Sequence, residues 1–173
     1  MHTIAREQPS SRRIAMSRGA PWWLLAISVV VIDQALKFTV QAWLPYREIV
    51  AVTSFFNLTH VGNPGAAFSF LADASGWQRY FFIVLGTLVA IWLAVLLGRR
   101  LPRTEAFGYS FILGGALGNV VDRVFRGRVV DYLDFYWRDW HWPAFNAADV
   151  SITVGATLLI ASSLRSSKPE PTM

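Results

Sequence analysis

The sequence predicts a membrane all-α bundle of four transmembrane helices, with a small β-rich periplasmic (extracytoplasmic) element and an interfacial aromatic loop. Three observations lead there. Hydrophobic residues make up 54% of the chain and aromatic residues 14%, with a mean hydropathy of +0.38, a balance that points to a membrane protein. Four stretches approach the roughly 20 apolar residues needed to cross hydrocarbon. The basic residues gather at the ends of those stretches, as they do in chains oriented by a bilayer.

Residues 1–20 are polar and carry Arg6, Arg12, Arg13 and Arg18 ahead of Trp22-Trp23 and an apolar run. The arrangement is like a secretory leader, but no small-x-small cleavage site follows a short core, and the apolar run continues past Asp33. An uncleaved first helix, Trp22 to Leu44, is expected. Its Asp33 and Lys37 stand at i and i+4, so they neutralise one another within the helix. The region Pro45 to Gly76 is too long for a tight turn. Its run Ile49 to Phe56 is β-branched and aromatic and reads as strand, lying on the membrane or against the helix tops. Asn63-Pro64-Gly65-Ala66-Ala67-Phe68 is a turn by composition, since Pro then Gly suits type II.

The second stretch, Phe81 to Gly98, carries no charge. The third and fourth, Ala106 to Val121 and Val150 to Leu164, are short unless their polar ends, Asn119–Asp122 and Asn146–Asp149, sit within the interface. Gly114 and Gly118 give the third stretch a G-x-x-x-G spacing that lets another helix approach closely. Asn119, Asp122 and Arg123 then follow at i, i+3 and i+4 on one face, which reads as an inward-facing polar cluster. Between the third and fourth stretches, Tyr132, Phe135, Tyr136, Trp137, Trp140 and Trp142 form an aromatic set suited to the headgroup level.

Orientation follows from charge. Arg6, Arg12, Arg13, Arg18, Arg99, Arg100, Arg103, Arg165 and Lys168 share one side, nine basic residues. The other side holds six: Arg47, Arg79, Arg123, Arg126, Arg128 and Arg138. The richer side is cytoplasmic, which gives a cytoplasmic tail over residues 1–20, a four-helix domain over 21–164 and a second cytoplasmic tail over 165–173.

Composition also narrows the chemistry. No cysteine is present, which removes thiolate nucleophiles and Cys-bound metals. His2, His60 and His141 lack ligand spacing, so no metal and no cofactor are expected. The net charge of +5 is spent at segment ends, so nucleic acid is not an expected partner. What remains is a pair of carboxylates, Asp131 and Asp149, each at the lip of an apolar segment. Such groups are costly unless paired, and intramembrane carboxylates mark function. Two that converge on one water suffice for aspartic-type peptide hydrolysis, one as base and one as acid; the residue types assign the base role to neither. Two alternatives compete. One is a Ser-Lys dyad of Ser54 and Lys37. The other is a small transporter or proton-conducting subunit, although the candidate residues gather at one bilayer face instead of along a path.

Five motifs, Asp33-Gln34-Ala35-Leu36-Lys37, Asn63-Pro64-Gly65-Ala66-Ala67-Phe68, Gly114 through Arg123, Val130 through Phe135, and Phe145-Asn146-Ala147-Ala148-Asp149, occur in the order found in the lipoprotein signal peptidases (signal peptidase II). The resemblance spans residues 22 to 164 and leaves out the N-terminal tail. It implies an aspartic endopeptidase of the bacterial inner membrane; a monomer is expected, although the sequence itself does not set the oligomeric state. Such an enzyme removes signal peptides from diacylglyceryl-modified prolipoproteins, just before the lipidated cysteine, among membrane lipids and at the outer face. By resemblance, Asp131 and Asp149 are the catalytic pair. Asn63, Gly65, Asn119, Asp122, Arg123 and Asn146 hold substrate and inhibitors of the globomycin type. Tyr132 stands where that family often has Phe.

Overall fold

The computed structural model describes residues 16–17, 19–65 and 76–166. The expectations for residues 1–15, Arg18, Ala66-Ala67-Phe68 of the turn motif and the C-terminal tail beyond Ser166 fall outside the described residues. Along the chain run β1 (Met16–Ser17), α1 (Ala20–Trp43), β2 (Ile49–Ala51), β3 (Phe56–Asn63), α2 (Trp77–Leu97), β4 (Leu101–Pro102), α3 (Arg103–Phe125), β5 (Val129–Trp137), β6 (Trp140–His141) and α4 (Ala147–Ser166).

Each helix starts before its apolar stretch, and α3 and α4 also run past the end of theirs. Pro21 enters the first turn of α1, where its missing N–H costs nothing, and the chain leaves the helix at Leu44, held extended before Pro45. The buried face of α1 is Trp22, Ala26, Val29, Asp33 and Lys37, a stripe at three- and four-residue spacing. Its opposite face exposes Leu24, Ile27, Val31, Ile32 and Phe38. A helix that is apolar on the outside and polar within suits lipid.

Three helices, α1, α2 and α4, are long and apolar enough to cross a membrane. Helix α3 is as long, at 23 residues, but less apolar, and it packs against all three others. Its small residues permit this. A Cβ on Gly114 would lie 2.7 Å from the Ala26 carbonyl of α1, and one on Gly115 would lie 2.4 Å from the Ala148 carbonyl of α4. The apolar core of Trp22, Ala26, Ala90, Leu93, Leu97, Ala106 and Leu113 fills the end where α1 starts, α2 finishes and α3 starts. Polar side chains gather towards the other end.

The strands β2-β3-β5-β6 form one antiparallel sheet in that order. Two expectations are corrected here. The run Ile49 to Phe56 is not one strand. It is β2, a turn and the start of β3, because the N–H groups of Val52 and Thr53 both donate to the Phe56 carbonyl and fold the chain back. The aromatic segment is a hairpin more than a loop: β5 turns at Arg138, in a left-handed conformation (φ 54°), into β6.

Candidate active site

Helix α3 ends at Phe125 with Arg126 as its C-terminal cap, and Gly127 at φ +79° reverses the chain into β5. The N–H of Val130 donates to Asp122 Oδ2 at 3.1 Å, which pins the first residues of β5 to α3. Asp131 follows, 2% exposed. Phe145 lies alongside the same strand: its N–H donates to the Leu133 carbonyl, and its carbonyl accepts from Tyr132 and Leu133. That pairing sets Asn146 beside Asp131.

Asn146 opens α4 as a reciprocal cap. The N–H of Asp149 donates to Asn146 Oδ1 at 3.0 Å, and the N–H of Asn146 donates to Asp149 Oδ2 at 3.3 Å. This is a capping box in Asn/Asp form, so Asp149 sits in the first helical turn, among N–H groups that receive negative charge. The same Asn146 side chain donates through Nδ2 to Asp131 Oδ1 at 2.6 Å. One asparagine therefore touches both carboxylates. The Tyr132 hydroxyl accepts the Ala147 N–H at 3.2 Å, a contact that Phe at this position would lack.

Two further asparagines complete the arrangement. Asn63 donates to Asp131 Oδ2 at 3.0 Å, and its own Oδ1 accepts the Gly65 N–H at 2.8 Å. Gly65 stands at φ +112° against the Phe82 ring, where an added Cβ would lie 2.5 Å away, so the turn needs glycine for both conformation and space. Asn119 donates to Asp149 Oδ1 at 2.8 Å. Arg123 donates to the Asn119 carbonyl at 3.3 Å and lies over the Phe82 ring, 4.9 Å from its centroid. Its buried Nε has no hydrogen-bond partner among the described residues.

Burial first, and then the negative charge of Asp149, push the Asp131 carboxyl up to about 7; hydrogen bonds from Asn146 and Asn63 and the charge of Lys37 oppose the rise. Asp131 therefore titrates near neutrality, far above the usual carboxylate range. Asp149 lines an open cavity of about 370 Å³ with Trp142, Phe145, Val150, Thr153 and Val154. Trp142 and Phe145 also border a second apolar cavity of about 420 Å³ with Phe55, Phe135 and Trp140. Sharing Trp142 and Phe145, the two form a trough along the aromatic hairpin that reaches Asp149.

Lys37 and Asp33 do not form the private pair that their spacing predicts. Lys37 Nζ lies 2.8 Å from Asp33 and 2.9 Å from Asp122, and all three side chains are fully buried. Asp122 sits in this cluster rather than on the trough, and Arg126 and Gln34 also donate to it. Neither donor was singled out from sequence, although Arg126 stands four residues beyond Asp122, a spacing that signals a pair. Ser54 is exposed on the β2–β3 turn, whereas Lys37 is enclosed and donates to Asn119 as well. The Ser-Lys alternative is therefore not assembled.

A helical body that is apolar outside and bears two bridged carboxylates, one raised to titrate near neutrality and one facing an apolar trough, has the makings of a membrane hydrolase of the aspartic kind. Comparison with known proteins makes this specific. The model of the signal peptidase (SPase) II family matches residues 25–165. The chain is 54% identical over 151 residues to a lipoprotein signal peptidase of Serratia marcescens, covering 86% of this chain and 89% of that one. It is 52% identical over 162 residues to that of Cupriavidus necator, covering 93% of each. A solved bacterial membrane enzyme shares the fold with a TM-score of 0.75 and 30% identity, over 88% of this chain and 94% of the other. The chain belongs to the signal peptidase II family. It is a peptidase that processes prolipoproteins by removing the signal peptide.

Proposed function

We propose that Asp131 and Asp149 are the catalytic pair of this peptidase and that the scissile bond lies just before a diacylglyceryl-modified cysteine. The observation that carries the reading is Asn146, which binds both carboxylates at the first turn of α4. Asp149 takes a proton from a water as the water oxygen bonds to the scissile carbonyl carbon. Protonated Asp131 donates a hydrogen bond to the carbonyl oxygen as negative charge develops there. When the C–N bond breaks, the proton held by Asp149 passes to the leaving amine, and the pair returns to its starting state. Asn63, Asn119 and Asn146 fix the carboxylates, and Gly65 holds Asn63 in place. The unpartnered Nε of Arg123 is a donor for a substrate carbonyl. Globomycin-type inhibitors would occupy the same trough.

Four membrane crossings accord with this arrangement. Helix α3 spans about 35 Å at 1.5 Å per residue, and its neighbours screen it from lipid, so it needs less hydropathy than they do. With residues 21–164 as the peptidase domain and residues 1–20 and 165–173 as cytoplasmic tails, the carboxylates face the outer leaflet. There the acyl chains of the substrate remain among membrane lipids while the peptide enters the trough, and one monomer holds every group required.

The decisive experiment is cleavage of a diacylated precursor by Asp131→Asn and Asp149→Asn proteins in nanodiscs. Each variant is expected to fold, insert and fail to turn over, and the native enzyme to cut an unlipidated precursor far more slowly. Substantial cleavage by either variant overturns the assignment.

A further inference from the structure

We propose that Lys37 is the positioning residue that sets the aspartate pair, acting through three arms that end on Asp149 itself and on the backbone N–H of the residues immediately before Asp131 and Asp149. The inference rests on the reading of those two residues as catalytic. Lys37 is 0% exposed, and an ammonium has three donors to place. They go to Asp33 Oδ2 at 2.8 Å, Asp122 Oδ2 at 2.9 Å and Asn119 Oδ1 at 3.1 Å.

Each acceptor reaches the pair. Asp33 Oδ1 accepts the Ala148 N–H at 3.0 Å, from the residue immediately before Asp149. Asp122 Oδ2 accepts the Val130 N–H at 3.1 Å, from the residue immediately before Asp131. In the third arm Lys37 fixes an amide's orientation. With Asn119 Oδ1 turned to the ammonium, Asn119 Nδ2 must face away, and it donates to Asp149 Oδ1 at 2.8 Å. Helix α1 thereby holds the backbone entering both catalytic positions. The cluster is charge-balanced, since Asp33 and Asp122 face Lys37 and the partly exposed Arg126, which is the condition for keeping Asp33, Lys37 and Asp122 buried. Gly118 makes room for it, because a Cβ there would lie 2.6 Å from Asp33 Oδ2.

The test uses the full-length protein in nanodiscs with a diacylated precursor. The double variant Asp33→Asn/Lys37→Met stays neutral, keeps an acceptor for the Ala148 N–H and leaves Asp122 paired with Arg126. We expect kcat to fall by about a hundredfold from lost alignment, with KM within about threefold of native, and an alkaline limb of the pH–rate profile moved to higher pH. The limb moves that way because Lys37 is a positive charge that lowers Asp131; without it the shared proton is kept longer. A role confined to folding would reduce the amount of protein without moving the limb.

Lys37→Arg keeps the charge but cannot make three compact contacts. Its limb stays in place while kcat falls. Native kcat and native limb in the folded double variant overturn the proposal. If that variant does not accumulate, native kcat in Lys37→Arg does so instead. Asp131→Asn and Asp149→Asn controls separate the two readings. If they retain cleavage, the catalytic assignment fails; if they are inactive and the Lys37 variants are native, only the positioning role fails.

Discussion

Gly118→Ala tests how closely the helices must approach for the buried cluster to form. The new Cβ would lie 2.6 Å from Asp33 Oδ2 and 3.2 Å from Asp33 Cγ, where ordinary contact begins near 3.4 Å, so the carboxylate must retreat by about 0.8 Å. It has little room to do so, because Oδ2 is held by Lys37 at 2.8 Å and Oδ1 by the Ala148 N–H at 3.0 Å. Overpacking alone costs about 1–3 kcal/mol, and losing one partner of a buried ion pair costs about 3–5 kcal/mol. A carboxylate displaced but not released falls between, at about 3 kcal/mol. Gly114→Ala is the control. Its Cβ meets Val29 Cβ at 2.6 Å and the Ala26 carbonyl at 2.7 Å, which is crowding without a charge. Thermal unfolding in detergent should place both variants below the native protein, and kcat per folded molecule should fall only in Gly118→Ala. A Gly118→Ala protein with native stability and native kcat would refute the reasoning. Equal kcat losses in both variants would mean that Gly118 protects helix spacing and not the carboxylate.

Two further outcomes follow from the charges. Asp131 keeps its proton up to about pH 7 in the folded protein but releases it near 3.8 in an unfolded chain. Its contribution to stability is therefore full below about 3.8 and lost as pH rises through about 7. Over the same rise the shared proton leaves, so kcat/KM should drop on the alkaline side with a midpoint near 7, and a flat profile from pH 6 to about 9 would contradict it. For topology, single cysteines introduced at Ser54 and Thr104 in this cysteine-free chain should label differently with an impermeant thiol reagent on spheroplasts, Ser54 reacting and Thr104 protected. The reverse pattern would invert the orientation.

Much of this protein is legible in the sequence because its signals are local. The helices announce themselves as apolar runs, and the segments between them as clusters of turn and aromatic residues. The two carboxylates stand out because ionisable groups beside apolar segments are rare and costly. The capping box that seats Asp149 is absent from the reading of the sequence, although the spacing of Asn146 and Asp149 carries its signature. Where composition misled, a specific backbone hydrogen bond had decided the path. The strand-like run before Phe56 folds back at Val52 because one carbonyl receives two N–H groups, and composition does not reveal that.

The sequence by itself determined the membrane class, the number of long helices and the candidate carboxylates. Only the tertiary structure decided what those groups hold. Asp33 looked committed to Lys37 four residues away, yet its other oxygen takes the Ala148 N–H across 115 residues of chain. Asn63, Asn119 and Asn146 come from three separate elements to serve two aspartates. A backbone N–H is the same donor at every residue, so nothing in the letters marks Val130 or Ala148 as special. Their partners are set by how close α3 lets α1 and α4 come, and that distance is a property of packed helices, fixed by glycines whose neighbours are distant in sequence.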